Sequence, residues 1–286
     1  MDSGVWKEKT VDTTSEELPF AAFAVPERPG KPRTTGLSMM SDWGMGLGRQ
    51  ADTLESSGTY IDFAKVAAGV SRFMPRAVLS RKLRLYDEHA IPAFPGGLFA
   101  ELALKLDRFE SFVDEVVELG FRGVEISDNL LDLEAADKAA AISLAKSRGL
   151  LVFGEVGKKV GKLDDDTIVA DVGTCLDAGA DWVFLEASEL FAADDVRSAL
   201  VERLASTFPV DRLIFELPVV IAQGVTRDYK HSITTWLVRE LGTQVGLANI
   251  EWDELYVTEL VRRGFAGDTS HPQGVYRMAG FRDLGE

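Results

Sequence analysis

Four apolar runs along the chain each stop at a glutamate: FRGVEIS at Glu125, LLVFGEVG at Glu155, DWVFLEAS at Glu186 and RLIFELP at Glu216. The acids stand 30, 31 and 30 residues apart. A run of about four apolar residues is what a strand buried on both faces requires. An acid where the run ends is a charge at the strand's C-terminal end. Between the runs the pattern turns helical, at about 134–148, 165–178 and 194–207. The first two of these segments end at Gly149 and Gly179, and glycine is the residue a helix C-terminus accepts most readily.

The alternation extends in both directions. Upstream, TTGLSMMSD predicts a strand ending at Asp42, GMGLGRQ a loop, and about 50–57 a short helix. YIDFAKV predicts a strand that carries Lys65, followed by a helix over about 76–89. IPAFPGG closes a third strand near Pro95. One long amphipathic helix is expected over about 99–119, with Leu102, Leu106, Phe109, Val113 and Val116 on one face and Gly120 as its stop. Downstream of Glu216, the loop LPVVIAQGVTRDYK leads to a helix at about 230–241, a strand VGLANI ending near Asn249, and a helix at about 251–263. Eight strand–helix units of about 30 residues predict a single (β/α)8 TIM barrel. The expected layout is an N-terminal arm over 1–30, the barrel over 31–270 and a tail over 271–286. An open doubly wound sheet is the alternative, but it has a phosphate loop after its first strand. Gly44, Gly46 and Gly48 do not form G-x-G-x-x-G, because position 49 is Arg49. The repeats share a pattern and almost no sequence, which disfavours a solenoid.

Charge narrows the partners. The 286 residues carry a formal charge of −15, which argues against a nucleic-acid backbone or an anionic membrane surface as the main partner. No apolar run approaches the roughly 18–20 residues of a membrane span, and the start, MDSGVWKEKT, lacks the pattern of a secretory signal. The single cysteine, Cys175, cannot form an internal disulfide, which fits a reducing, cytoplasmic setting. A small-molecule substrate is the expected partner, and pairing of copies through outer helices is compatible with the fold.

In a barrel the C-terminal strand ends converge on one face. Asp42, Lys65, Glu125, Ser127, Asp128, Glu155, Lys158, Lys159, Glu186, Glu216 and Asn249 are all expected there. Carboxylates so crowded must take up protons, pair with lysines or bind a cation. Oxygen donors suit Mg2+, and Glu125, Glu155, Glu186 and Glu216 are the candidate ligands. A desolvated lysine among them could act as a general acid. Any one of these acids could instead cap the next helix or pair with a lysine; four at one period weigh against that for the set. Asp164, Asp165 and Asp166 fit the start of a helix, where acids favour the dipole. His89, His231 and His271 are scattered, and no Walker motif, nucleophile elbow or zinc spacing is present.

The stretches KPRTTGLSMMSDWG, YIDFAK, FPGG, LGFRGVEISD, EVGKK, AGADWVFLE, IFELP, LANI and VRRGFAGDT follow one another over about 31–270. In that order they resemble the phosphosulfolactate synthase family. The resemblance implies a (β/α)8 barrel and a lyase that uses Mg2+ to add sulfite to the enol carbon of phosphoenolpyruvate, a Michael-type addition that forms a C–S bond. By position it carries over Asp42, Lys65, Glu125, Ser127, Asp128, Glu155, Lys158, Lys159, Glu186, Glu216, Arg262, Arg263, Gly267 and Asp268. The expected acid is Lys159, helped by Lys158 or Lys65. Asp42, Trp43, Ser127, Asp128, Asn249, Arg262 and Arg263 are expected at the substrate.

The departures from the family pattern are specific. Asp42-Trp43-Gly44 replaces D-K-G, Glu186-Ala187-Ser188-Glu189 replaces E-G-R-E-S, VVIAQGVTRDYK replaces a glutamine-rich stretch, and RGFAGDT replaces R-G-L-R-G-D-T. Three cationic positions are lost, each worth roughly 1.5–3 kcal/mol as a charged hydrogen bond to an anion. Arg49, Arg72, Arg227 and Lys230 lie in the same loops and could compensate. Two alternatives follow. One is the same metal-enolate chemistry on a less anionic, more aromatic or apolar substrate, motivated by Trp43, Phe73, Phe99 and the loop after Glu216. The other is a non-catalytic, stress-associated barrel, since similar plant sequences are associated with heat stress.

Overall fold

The alternating pattern closes on itself. A computed structural model describes residues 28–265 apart from Val160, Ala193 and Asp194, together with positions 19, 20, 22, 23, 25 and 26. Eight parallel strands form the sheet: β1 (Ser38–Asp42), β2 (Phe63–Val66), β3 (Ala93–Pro95), β4 (Gly123–Ile126), β5 (Leu151–Val156), β6 (Trp182–Leu185), β7 (Leu213–Glu216) and β8 (Gly246–Glu251). They pair in the order β3-β2-β1-β8-β7-β6-β5-β4. At the β3–β4 seam the Arg122 N–H donates to Ala93 O at 2.9 Å, so the sheet curls into a nearly closed TIM barrel.

The period of two along each strand separates two apolar layers. Met40, Ala64, Val124, Val152, Val183, Leu213, Phe215 and Leu247 face outward under the helices. Met39, Phe63, Phe94, Phe153, Phe184, Ile214 and Ala248 face inward and fill the barrel. Phe153 is the centre of this filling: it stacks on Phe94 at 4.3 Å and on Phe184 at 5.1 Å between ring centroids. Two residues beyond Met39, Phe63, Phe153, Phe184 and Ile214 stand Ser41, Lys65, Glu155, Glu186 and Glu216. An inward apolar residue therefore puts an inward polar one above it, and a polar layer rests on an aromatic floor.

The eight outer helices are α1 (Leu47–Ser57), α2 (Arg76–Glu88), α3 (Phe109–Leu119), α4 (Ala135–Ser147), α5 (Asp165–Asp177), α6 (Ser198–Thr207), α7 (Arg227–Leu241) and α8 (Leu255–Arg263). Asp164 caps α5 by accepting the Thr167 N–H at 2.9 Å, the role expected of that acidic run. The expected single helix over 99–119 is two helices, Gly97–Lys105 and α3. Asp107 between them takes φ 53°, in the left-handed region, and breaks the rod. Leu102 and Leu106 are exposed, so the apolar face drawn through them does not reach the core. The helix expected from about 194 starts at Ser198, because a short helix (Ala187–Leu190) and a two-stranded hairpin (Phe191–Ala192 with Asp195–Val196) follow β6. No described helix is long and apolar enough to cross a membrane.

The opposite end of the barrel is closed by arginines. Arg33 pairs with Asp62 at 2.8 Å, Asp62 accepts the Ser38 N–H at 2.8 Å, and Arg28 bonds Glu259 and Gly36 O. These contacts bind the chain ahead of β1 across the N-terminal strand ends.

Candidate active site

The polar layer encloses a cavity of about 130 Å3 at the C-terminal mouth. Lys65 on β2 forms the central bridge: its Nζ lies 2.7 Å from Glu125 Oε1 on β4 and 2.9 Å from Glu216 Oε1 on β7. The same ammonium sits 5.3 Å above the Phe184 ring. The second oxygen of Glu125 accepts the N–H of Gly97, at the first turn of helix Gly97–Lys105. Position 97 must be glycine here, because a Cβ would collide with Ser127 Oγ.

Lys159 forms the second bridge. Its Nζ is 3.2 Å from Glu186 Oε2, 3.8 Å from Glu155 Oε1 and 3.0 Å from Asn129 Oδ1. Glu186 also caps the short helix Ala187–Leu190, with Oε1 accepting the Ser188 N–H at 3.1 Å. Gly157, at φ 121°, carries the chain from β5 past this point; a Cβ there would meet Glu186 Cβ at 2.8 Å.

Burial sets the protonation of the group. It pushes the Glu155 carboxyl well above the usual carboxylate range, against the pull of Lys159. It raises Glu216 as well, against Lys65. Glu186 moves the other way: burial opposes its charge, but Lys159 and the Ser188 N–H outweigh burial. Both lysines are held above their ordinary range. Burial disfavours the Lys65 charge, but Glu125, Glu216 and Glu155 prevail, as Glu155 and Glu186 do at Lys159.

The donor set fits a divalent cation. Glu125, Glu155 and Glu216 each bring a carboxylate oxygen to within 4.8 Å of the others. Glu155 Oε1 is buried without a hydrogen-bond partner. The four carboxylates outnumber the two ammonium groups that reach them, and a cation would relieve the crowding that otherwise favours protons on Glu155 and Glu216. All the side-chain donors are hard oxygens, as Mg2+ prefers.

The mouth gathers some expected residues and not others. Lys65, Glu125, Glu155, Lys159, Glu186, Glu216, Trp43 and Asn249 line the cavity. Asn249, at φ 60°, accepts from Ser41 Oγ at 3.3 Å, and Trp43 Nε1 donates to Glu251 at 3.4 Å. Of the four expected metal ligands, Glu186 stands apart from the carboxylate trio, since one oxygen caps a helix and the other faces Lys159.

Six expected residues lie elsewhere. Asp42 accepts the Gly44 and Met45 N–H groups at 3.0 and 2.8 Å and the Tyr86 hydroxyl at 2.6 Å; it shapes the β1–α1 loop. Lys158 turns away to Asp128 O and Leu131 O, both at 2.6 Å. Asp128 is held between Lys158 and Lys138. Ser127 donates to Glu101 at 2.5 Å, behind the cavity. Arg262 is at the opposite end, donating to Thr243 O, Val245 O and Leu37 O at 2.8, 2.7 and 3.2 Å; its neighbour Arg263 reaches Glu259 and Pro26 O. A helix that follows the last strand must run back down the barrel, so its final residues cannot reach the mouth. Gly267 and Asp268 lie outside the described residues.

Asn129 and Glu101 support the Lys159 side of the cavity, though the pattern did not single them out. Glu101 accepts the Asn129 and Leu130 N–H groups at 3.0 and 2.9 Å, and Asn129 Nδ2 donates to Gly157 O at 2.9 Å. The pair thereby aims Asn129 Oδ1 at Lys159. The available signal was position alone, Asn129 being next to Asp128 in the loop after β4.

Comparison with known proteins points to one family. The family described as (2R)-phospho-3-sulfolactate synthase (ComA) matches residues 26–268. The phosphosulfolactate synthase of Methanocaldococcus jannaschii is 34% identical over 245 residues, 82% of this chain and 93% of its own. That of Methanothermobacter thermautotrophicus is 32% identical over 258 residues, 86% of this chain and 96% of its own. Among solved structures, a 3-hexulose-6-phosphate synthase superposes with a TM-score of 0.50 at 14% identity, covering 79% of this chain and 97% of its own, a likeness of fold alone.

Proposed function

The chain belongs to the phosphosulfolactate synthase family, and from that premise we propose that it is a Mg2+-dependent lyase. It adds a nucleophile, sulfite in the family, across the double bond of phosphoenolpyruvate or a related enol acid. The observation that carries the reading is the buried trio Glu125, Glu155 and Glu216, with its unpartnered oxygen, beside a protonated Lys159. Bound to the trio, Mg2+ would stabilise the negative charge that grows on the substrate carboxylate during addition.

The remaining work falls to the side chains. The nucleophile's electron pair forms the new bond at the terminal alkene carbon, and the double-bond pair moves to the neighbouring carbon. Lys159 donates its proton there, completing a C–H bond; no group leaves and no oxidant is needed. Glu155, Glu186 and Asn129 hold the Lys159 ammonium in place and keep it charged until that step. Lys65 fixes the spacing of Glu125 and Glu216. The Phe94, Phe153 and Phe184 floor excludes water from below and strengthens every charge interaction above it.

Incubation with phosphoenolpyruvate, sulfite and Mg2+, read by mass, is expected to give phosphosulfolactate or, with a related enol acid, the corresponding adduct. Lys159→Ala should lower turnover about 100- to 10,000-fold, the usual worth of a positioned acid. A Lys159→Ala protein of undiminished rate removes that lysine from the mechanism. Failure of Mg2+ to bind in a calorimetric titration removes the metal from it.

A further inference from the structure

One ammonium group lies behind the barrel wall, outside the cavity, and its contacts lead to Lys159. Helix α4 buries Lys138, Ala141, Ile142 and Ala145 on one face, and Lys138 takes the first place on that stripe, 1% exposed. A charge in an apolar stripe persists only when it is paired and hydrogen-bonded. Lys138 Nζ donates to three oxygens: Asp171 Oδ2 on α5 at 2.7 Å, Asp128 Oδ1 after β4 at 2.9 Å and the backbone carbonyl of Glu155 at 2.7 Å.

The first contact joins two outer helices. The other two reach the site. Strand β4 ends at Ile126, which pairs with Gly154, so the Glu155 carbonyl lies one residue past the last β4 partner. The Leu151 N–H donates to Arg122 O, just ahead of β4, and the alternation along the strand turns Glu155 toward the same side. Where the ladder stops, the Lys138 ammonium supplies the donor. The carbonyl belongs to the residue whose carboxyl stands in the cavity, so anchoring it sets how far Glu155 reaches into the mouth.

Asp128 carries the second contact onward. Its other oxygen accepts from Lys158 Nζ at 3.1 Å, and its neighbour Asn129 accepts from Lys159 Nζ at 3.0 Å. One buried ammonium thus fixes both the strand end that presents Glu155 and the loop that presents Asn129, two of the groups that hold Lys159.

We propose that Lys138 is a positioning residue for the reaction at the mouth: it touches no substrate, and it holds Glu155 and Asn129 where they grip Lys159 and complete the carboxylate trio. The inference rests on the reading of the mouth as a Mg2+-dependent lyase site. If Lys138 were only an ion pair between α4 and α5, its contact with Asp171 would be sufficient.

The test compares Lys138→Met with Asp171→Asn in the full chain by two readouts. One is Mg2+ affinity by calorimetry. The other is the rate at which acetic anhydride acetylates Lys159, resolved from Lys158 by mass spectrometry and measured without metal. Lys138→Met is expected to weaken Mg2+ binding about 10- to 100-fold, the usual effect of removing a group that orients a metal ligand, and to speed Lys159 labelling by about 10-fold as its partners loosen. Asp171→Asn should lower the melting temperature and leave both readouts close to wild type. Should Lys138→Met not fold, Lys138→Met combined with Asp171→Asn is read in its place against Asp171→Asn alone; Asp128 then keeps Lys158, and no carboxylate of the cluster is stranded. A folded variant without Lys138 that labels at Lys159 at the wild-type rate overturns the inference. Equal gains in labelling in Lys138→Met and Asp171→Asn also overturn it, because general loosening would then suffice. A wild-type protein that takes up no Mg2+ loses the metal reading, and labelling of Lys159 still decides whether Lys138 positions it.

Discussion

Lys65 and Lys159 divide the work of holding acids together, and their environments say how. Lys65 is buried, carries two close carboxylate contacts and touches the aromatic floor, so it acts as a structural counter-ion at the centre of the site. Lys65→Met would leave Glu125 and Glu216 facing each other without a cation. Removing one partner of a buried ion pair costs about 3–5 kcal/mol. That loss is expected in denaturant unfolding, and Lys65→Met combined with Glu216→Gln should recover part of it, since residues in one network do not act additively. An additive pair would show that the bridge carries no stability. At this scale the sequence resolved residue type better than direction. Lys158 and Lys159 are adjacent in EVGKK, and nothing in their spacing says which faces the acids. Gly157 decides it, by turning the backbone at φ 121° so that Lys158 leaves the barrel and Lys159 enters it.

The strands were legible because their pattern has a mechanical cause. A parallel strand covered on both faces needs continuous apolar residues, and its inward parity carries Phe153 to Glu155, Phe184 to Glu186 and Ile214 to Glu216. The helix expected over 99–119 failed for the complementary reason. Leu102, Leu106, Phe109 and Val113 keep a helical period straight through a break that depends on the backbone of Asp107 alone. Aspartate tolerates the left-handed region better than most residues and gives no clear warning of it. The break matters to the site. It frees helix Gly97–Lys105 to bring its first N–H to Glu125, while α3 packs against the barrel through Val113 and Val116. Asp107→Gly should keep stability within about 0.5 kcal/mol in thermal or denaturant unfolding, because glycine's freedom from steric cost in this conformation is offset by its greater entropy in the unfolded chain. Asp107→Ala should lower it. The opposite order would mean that the connection is held by something other than backbone conformation.

Across the whole molecule the two ends of the barrel have separate chemistries. The mouth concentrates carboxylates bridged by two lysines, while the other end is tied by Arg28, Arg33 and Arg262. A family resemblance read along the sequence sets Arg262 and Arg263 beside the substrate, because motif order carries no information about which way a helix runs. The fold supplies it: α8 descends from the mouth over Leu255–Arg263, 9 residues and roughly 13 Å at the usual rise. Arg262 therefore arrives under β1 and β8, 1% exposed, with three backbone carbonyls as acceptors. Burial pushes its guanidinium well below the ordinary range, a further mark of how fully it is desolvated. Arg262→Ala would strand those carbonyls and open a hole between the last helix and the first strand, at a cost of about 3–5 kcal/mol by analogy with other buried charged groups. A chain of this size should then melt roughly 6–15 °C lower. Below that temperature the substrate KM of the folded fraction should be unchanged, because the nearest cavity carboxylates are held by Lys65 and Lys159 at the other end. A raised KM with an unshifted melting temperature would return Arg262 to the substrate and require the last helix to run differently.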